Sequence, residues 1–213
     1  MQQWPDDLAA RTALEVYVRN LPEKLDAPRT VAALLNGASL DFAGADLSGM
    51  DLQHAQLSEA ILRGVRLVGT DLYGAWMSLA DLRDSDLSSA ELRTVQARDC
   101  NAAGATLRGA RLQSADFAGT DFRSADLRDA ALHDTGLFQA DLRRADLRGC
   151  AFDGTSLTNA RLAGCRIDGA HGSVYGPADV GSDAPDLRSG AELQTWFAQF
   201  GADITVSSLQ PGT

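Results

Sequence analysis

From Phe42 to Ile167 a large apolar residue falls on almost every fifth position of the chain. Of the 26 positions 42, 47, 52 and onward to 167, eighteen are Leu and four are Phe (Phe42, Phe117, Phe122, Phe152). Met77 and Ile167 bring the large apolar count to 24, and only Ala97 and Ala102 are small. Two residues before each centre, 24 of the 26 positions hold Ala, Ser, Thr, Cys or Val; Leu40 and Met50 are the exceptions. A period of five fits neither the helix at 3.6 nor the strand at 2. A helix would smear these leucines around its circumference, and a flat strand would send alternate ones to opposite faces. A coil that turns a corner every five residues avoids both failures. Four such sides close a square coil, so that positions 42, 62 and 82 stand over one another with strand-like spacing. The centre and the small residue two before it point inward, because a narrow interior must pack densely. Gly holds the second position after the centre in 12 of the 26 units, where a tight corner is expected.

The residue just before the centre is often acidic, as at Asp41, Asp46, Asp51, Asp71 and Glu91. The unit Ala-Asp-Leu-x-x resembles the consensus Ala-(Asp/Asn)-Leu-x-x of the pentapeptide-repeat family, and its register is unbroken over residues 40–169. That resemblance implies an all-β solenoid, a right-handed quadrilateral β-helix. The chain then divides into a helical N-terminal cap (1–39), the β-helix (40–170) and a C-terminal cap (171–213). On such a square coil, Ala97 and Ala102 sit one turn before Phe117 and Phe122 in the same columns. Either the rings lean into the space the alanines leave, or the coil is locally distorted or bulged around residues 98–101.

Bare solenoid ends expose core and open strand edges, so caps are expected. Asp6 or Asp7 is placed to cap a helix running to about Arg19, with Leu14, Tyr17, Val18 and Leu21 on one face. Pro22 and Pro28 bracket a turn, and a second short helix is expected near Arg29–Leu35. At the other end the spacing predicts a strand at Val174-Tyr175, a loop over 176–186, a helix from Ser189 to Phe200 and a strand at Ile204–Val206. That C-terminal cap is mixed helix and strand. Its aromatic face, Leu193, Trp196, Phe197 and Phe200, either plugs the last coil or makes a subunit contact, or both. The resemblance favours a homodimer through residues 171–210.

Composition narrows the function. The formal charge of −10 divides into −1 over residues 1–39, −5 over 40–170 (19 acids, 14 Arg) and −4 over 171–213. A negative surface repels nucleic acid and attracts basic proteins. Many acids have an Arg two residues on, as in Asp81/Arg83, Asp121/Arg123 and Asp146/Arg148. The first coil differs: Ala43, Ser48 and Gln53 stand where later coils carry Arg, and no basic residue lies between Arg29 and Arg63. Outward Ile61, Tyr73 and Trp76 are expected to lie beneath the N-terminal helix. Cys100, Cys150 and Cys165 all fall on the small inward position and read as buried thiols. No His or Cys grouping has metal-ligand spacing, no phosphate-cradling loop is present, and the expectation is no enzyme, no metal and no cofactor. No apolar run is long enough to span a membrane and no secretory leader is visible, so a cytoplasmic location is expected.

The expected function is therefore non-enzymatic binding without direct nucleic-acid contact. The family resemblance implies an acidic DNA mimic that binds a type II topoisomerase, DNA gyrase or topoisomerase IV, and modulates it or protects it from inhibitors. The candidate contact residues are Asp41, Asp46, Asp51, Glu59 and Asp71. Any single one of these acids has a plainer role in stabilising its own backbone turn. The alternative function is a protein–protein adapter acting through its caps or exposed apolar patch.

Overall fold

The computed structural model describes residues 3–21 and 34–207. The expected helix near Arg29–Leu35 and the turn between Pro22 and Pro28 fall mainly outside them. From Asn36 onward the chain is a repeat solenoid. Parallel bridges join each outward position to its equivalent one coil on, without interruption, from Asn36↔Gln56 through Asp86↔Thr106 and Thr106↔Asp126 to Ala151↔His171. Leu87, Leu107 and Leu127, the next residue in each case, therefore stack in one column, and all three are buried.

The backbone of one unit explains its sequence. Take the unit centred on Leu62. The Ile61 amide donates to Leu40 O in the coil below, while the Leu62 and Gly64 amides donate to Asp81 O and Arg83 O above. The Val65 amide closes a turn onto Leu62 O. Four of five amides are thus paired, and the amide just after the centre is left over. Where the residue before the centre is acidic, its carboxylate accepts that amide, as Asp41 does from Ala43 N (2.8 Å) and Asp71 from Tyr73 N (3.0 Å). Asn101 does the same for Ala103 N (3.2 Å), so an uncharged acceptor oxygen serves this position too. A buried backbone donor left unpaired costs free energy comparable to a lost hydrogen bond. The Asp of the repeat is first of all this acceptor.

The second residue after the centre takes positive φ, as a type II turn requires. Glycine adopts that conformation freely, but Leu79 (φ 63°) and Thr94 (φ 57°) occupy it too. For such residues the left-handed conformation costs roughly 1–2 kcal/mol. Inside the coil, the small residues carry a second layer of bonding. Thr70, Thr120 and Thr135 donate their hydroxyls to Leu47 O, Ala97 O and Leu112 O, in each case in the coil below. The Cys100 and Cys150 thiols do likewise to Met77 O and Leu127 O. Burial pushes the Cys100, Cys150 and Cys165 thiols up to about 12, so they sit as protonated core residues.

The coil holding Ala97 and Ala102 keeps its register, because Gln96↔Asp116 and Asn101↔Asp121 are both present. A bulge that shifts the register is therefore overturned. One coil later the Phe117 and Phe122 rings pack on each other at 5.3 Å between centroids, both buried. The first coil solves the same problem differently. Gly37 holds a centre position, and a Cβ there would meet the Phe42 ring at 2.6 Å. The ring fills that space, and Leu35 is fully buried at the position that elsewhere is small. The stacked ladder thus begins one unit before the apolar pattern becomes legible.

Helix α1 (Leu8–Asn20) closes the N-terminal end. Asp7 caps it by accepting from Ala10 N at 2.8 Å. Ala10, Leu14 and Tyr17 are buried in the core cluster, with Leu21 partly buried against it. Asp46 N, which has no coil beneath it, donates to Gln3 O (2.7 Å). The helix lies below the first coil, not along a side. Two expectations change accordingly: Val18 is exposed, and Trp76 (50% exposed) and Ile61 (40%) remain open to solvent.

At the other end strands β1 (Thr155–Ser156) and β2 (Ala160–Arg161) carry the last regular coil. Strand β3 (His171–Tyr175) pairs with β1 in parallel at Thr155↔Val174, one position short of a full coil. Strand β4 (Ala178–Asp179) pairs with β2 at Ala160↔Ala178, two positions short. The coil is tightening. Strand β5 (Leu187–Arg188) turns back antiparallel on β4. Helix α2 (Gly190–Gln199) follows, and β6 (Asp203–Ser207) adds a parallel layer on β3. Leu193 and Phe197 of α2 are fully buried.

Candidate partner-binding faces

The 20-residue repeat of the bridges sorts the outward residues of 40–170 onto four sides, each named by its first bridging residue. The Asp41 side carries five acids and six Arg, and the Asp46 side six acids and five Arg. The Asp51 side carries five acids and two Arg, and the Asn36 side three acids and one Arg. The first two sides cancel. The whole net charge of −5 lies on the last two, which share a corner.

The cancelling sides are laced with short ion pairs. Arg83, Arg123, Arg128, Arg143 and Arg148 each reach back to the Asp two residues before, at 2.5–2.7 Å. The arginine hydrogen bonds hold the Asp81, Asp121, Asp126 and Asp146 carboxyls below their ordinary value. At Asp141 burial pushes upward, and the bonds from Arg143 outweigh it. Such pairs are solvent-facing and contribute little stability. They leave those acids with little field to offer a partner.

The five candidate acids do not form one site. Asp41, Asp46, Asp51 and Glu59 stand on four different sides. Asp41, Asp46, Asp51 and Asp71 each accept the amide two residues on. Asp46 is further tied to Ser48, whose bonds lower its carboxyl, and to Arg66 at 3.2 Å. The structure does bring Asp51 and Asp71 together. They are bridged, and Glu91 is the next rung (Asp71↔Glu91). Three carboxylates therefore stack on one side. Gln53 Nε2 donates to Asp71 at 2.7 Å, and at the top Arg93 (2.6 Å) and Arg111 (3.5 Å) meet Glu91. Tyr73 sits beside this stack, edge-on to His54 (5.6 Å) with the Arg93 guanidinium over its ring. Glu91 is not among the candidate acids of the sequence, since an Arg stands two residues on; every twentieth residue from Asp51 leads to it.

Of the residues expected at a subunit contact, Leu193, Trp196 and Phe197 are taken up by the chain's own core, and Phe200 remains 50% exposed. Trp196 links the two sets, with ring centroids 5.3 Å from Phe197 and 4.9 Å from Phe200. The described residues hold no group of three or more His, Cys, Asp or Glu placed to bind a metal. Nor does any described helix have the length and apolarity to cross a membrane. His133 faces Asp153 at 3.5 Å, an exposed pair.

A family model described as pentapeptide repeats matches in 8 copies, over residues 41–78, 66–101, 90–129 and 137–171. No curated protein matches the sequence. Among solved structures, QnrB1, described as a plasmid-mediated fluoroquinolone resistance protein, aligns over 78% of this chain and 84% of its own, at 19% identity and a TM-score of 0.51. That likeness is one of fold. HetL of the cyanobacterium Nostoc sp. strain PCC 7120, described as involved in regulating heterocyst differentiation, aligns over 64% of this chain and 79% of its own, at 27% identity and a TM-score of 0.49.

Proposed function

Because this chain belongs to the pentapeptide-repeat family, we propose that it is a non-enzymatic binding protein whose Asp51 and Asn36 sides present an acidic face to a basic protein groove. The partner we propose is a type II topoisomerase, DNA gyrase or topoisomerase IV, which the protein engages as a DNA mimic in the cytoplasm and modulates or shields from inhibitors. The observation that carries this reading is the confinement of the solenoid's net charge to two adjacent sides, with Asp51, Asp71 and Glu91 stacked on one of them. A one-sided field is what a one-sided groove reads. We take the coil as right-handed and square, as the family resemblance implies. Its length of roughly 31 Å then carries one net charge per about 6 Å, against one per about 1.7 Å for duplex DNA. The mimicry is of placement more than of full charge density.

The test is a gyrase supercoiling and drug-stabilised cleavage assay with added protein, repeated across a salt series. Inhibition or protection that fades with salt is expected. The triple variant Asp51→Asn, Asp71→Asn, Glu91→Gln should lose it about tenfold, whereas Asp41→Asn with Asp46→Asn should change it less than about twofold. Asparagine keeps the turn acceptor, as Asn101 demonstrates, so charge alone is removed. No effect at micromolar protein removes the topoisomerase and leaves the adapter reading.

We further propose a homodimer through the C-terminal end. Phe200 and Leu187 are exposed there, and β6 presents the outer edge of the β1-β3-β6 sheet. Light scattering of Phe200→Asp checks this: a monomer is expected, and an undiminished dimer refutes assembly through Phe200. Phe200 suits the test because Leu193 and Phe197 plug the chain's own core.

A further inference from the structure

Leu79 is in the wrong place twice. It sits at a turn position with φ 63°, where an L side chain is strained, and the residue is 59% exposed. Of the non-glycine residues at positive φ, it is the one large apolar residue among the described chain. Neither the backbone nor the core gains from it. Strain that brings no stability points to function. Three residues earlier in the same coil, Trp76 is half exposed and bridged to Gln56 and Gln96, both uncharged.

The charges around Leu79 are equally specific. Glu59 and Asp99 hold the same turn position one coil below and one coil above. The lone Arg of this side, Arg98, is committed to Asp116 at 2.6 Å. The net −2 of the Asn36 side is therefore Glu59 and Asp99, the two carboxylates that bracket Leu79. Farther along the side, past Gln96 and the Arg98–Asp116 pair, come Ala118, Gly119 and Gly136, and then Phe138, 43% exposed. Phe138 lies three coils from Trp76, roughly 14 Å along the stack.

We infer that Trp76, Leu79 and Phe138 form a docking strip for a cationic amphipathic helix of a partner protein, distinct from the Asp51–Asp71–Glu91 stack. The helix lies along the stack. Its apolar face meets Trp76 and Leu79 at one end and Phe138 at the other, passing Gln96, the mutually neutralised Arg98–Asp116 pair, and Ala118, Gly119 and Gly136. About ten helical residues cover that span at ~1.5 Å each. Lysine or arginine beside its apolar anchors meets Glu59 and Asp99. Apolar anchors within a charge-matched surround are the usual makings of an affinity hot spot.

The test uses a fluorescein-labelled Leu/Lys amphipathic peptide of about four helical turns, and its Leu/Glu twin, titrated by anisotropy into the full chain. The Leu/Lys peptide should bind and the Leu/Glu peptide should not. Leu79→Gly leaves every charge in place and relieves the turn, so its melting temperature should rise while affinity falls about tenfold. Trp76→Gln should weaken binding similarly, and Glu59→Gln with Asp99→Asn should flatten its salt dependence. Unchanged affinity in Leu79→Gly would mean general charge attraction and would overturn the proposal. So would equal binding of the Leu/Glu peptide. A self-association abolished by Leu79→Gly would overturn it too, because a second copy would then be the occupant.

Discussion

Truncating Phe122 to alanine should destabilise the protein by about 3–5 kcal/mol, the range for emptying a large aromatic site in a packed core. The upper end is expected because of what lies beneath. Ala102 already fills the preceding coil of that column with a methyl group, and Ala97 does so in the adjoining one. The Phe117 and Phe122 rings are in contact and fully enclosed, so the neighbouring ring loses a packing surface as well. The flanking coils are held by an unbroken ladder and cannot collapse inward. Chemical denaturation of Phe122→Ala beside Leu142→Ala, one coil later in the same column, checks the point. The leucine variant should lose less, about 2–4 kcal/mol.

A larger loss is expected from Leu107→Asp. Leu107 is buried mid-stack between Leu87 and Leu127, and an aspartate there forfeits the side-chain burial and strands a carboxylate with no partner. Together these should exceed about 5 kcal/mol. Because each coil of a solenoid is supported by its two neighbours alone, a fault at mid-length separates the halves. Loss of the cooperative thermal transition is the expected readout. The next residue supplies the control. Arg108 points outward and pairs loosely with Asp129 at 3.6 Å, so Arg108→Asp should shift stability by no more than about 0.5 kcal/mol. Similar damage from the two substitutions would contradict the assignment of inward and outward positions.

The columns were legible because a five-residue period admits few packings, and Leu87, Leu107 and Leu127 repeat it without a gap. The first unit was not legible, because Leu35 and Gly37 exchange the large and small positions and the pattern has no leucine where one is sought. The tightening of the last coil was hidden for a different reason. Its shortened offsets are set by where β3 and β4 find partners, and local propensity does not encode them. Helix α1 followed from its aspartate cap and spacing and α2 from its spacing alone, but the side of the solenoid each one covers did not. The bond from Asp46 N to Gln3 O turns the N-terminal segment beneath the first coil, and Trp76 is left in water as a result.

The candidate site was half legible. The acids were visible, yet grouping them by nearness in sequence scattered them over four sides. Grouping by coil joins Asp51 to Asp71 and Glu91 and shows that the charge is one-sided. Their bonds to the following amides could have been suspected from the repeat, since a backbone donor in every unit lacks a partner until the acid supplies one. What Leu79 does was illegible, because only the backbone reveals that a leucine sits where a glycine is favoured.

All of this depends on equivalent residues of successive coils standing directly over one another. Spin labels at exposed positions 43 and 123, four coils apart on the Asp41 side, test it by electron paramagnetic resonance. Parallel stacking at ~4.8 Å per coil places the two backbones roughly 19 Å apart. A narrow distribution near that value is predicted. A separation twice as long, or a broad distribution, would contradict the stack and every face drawn on it.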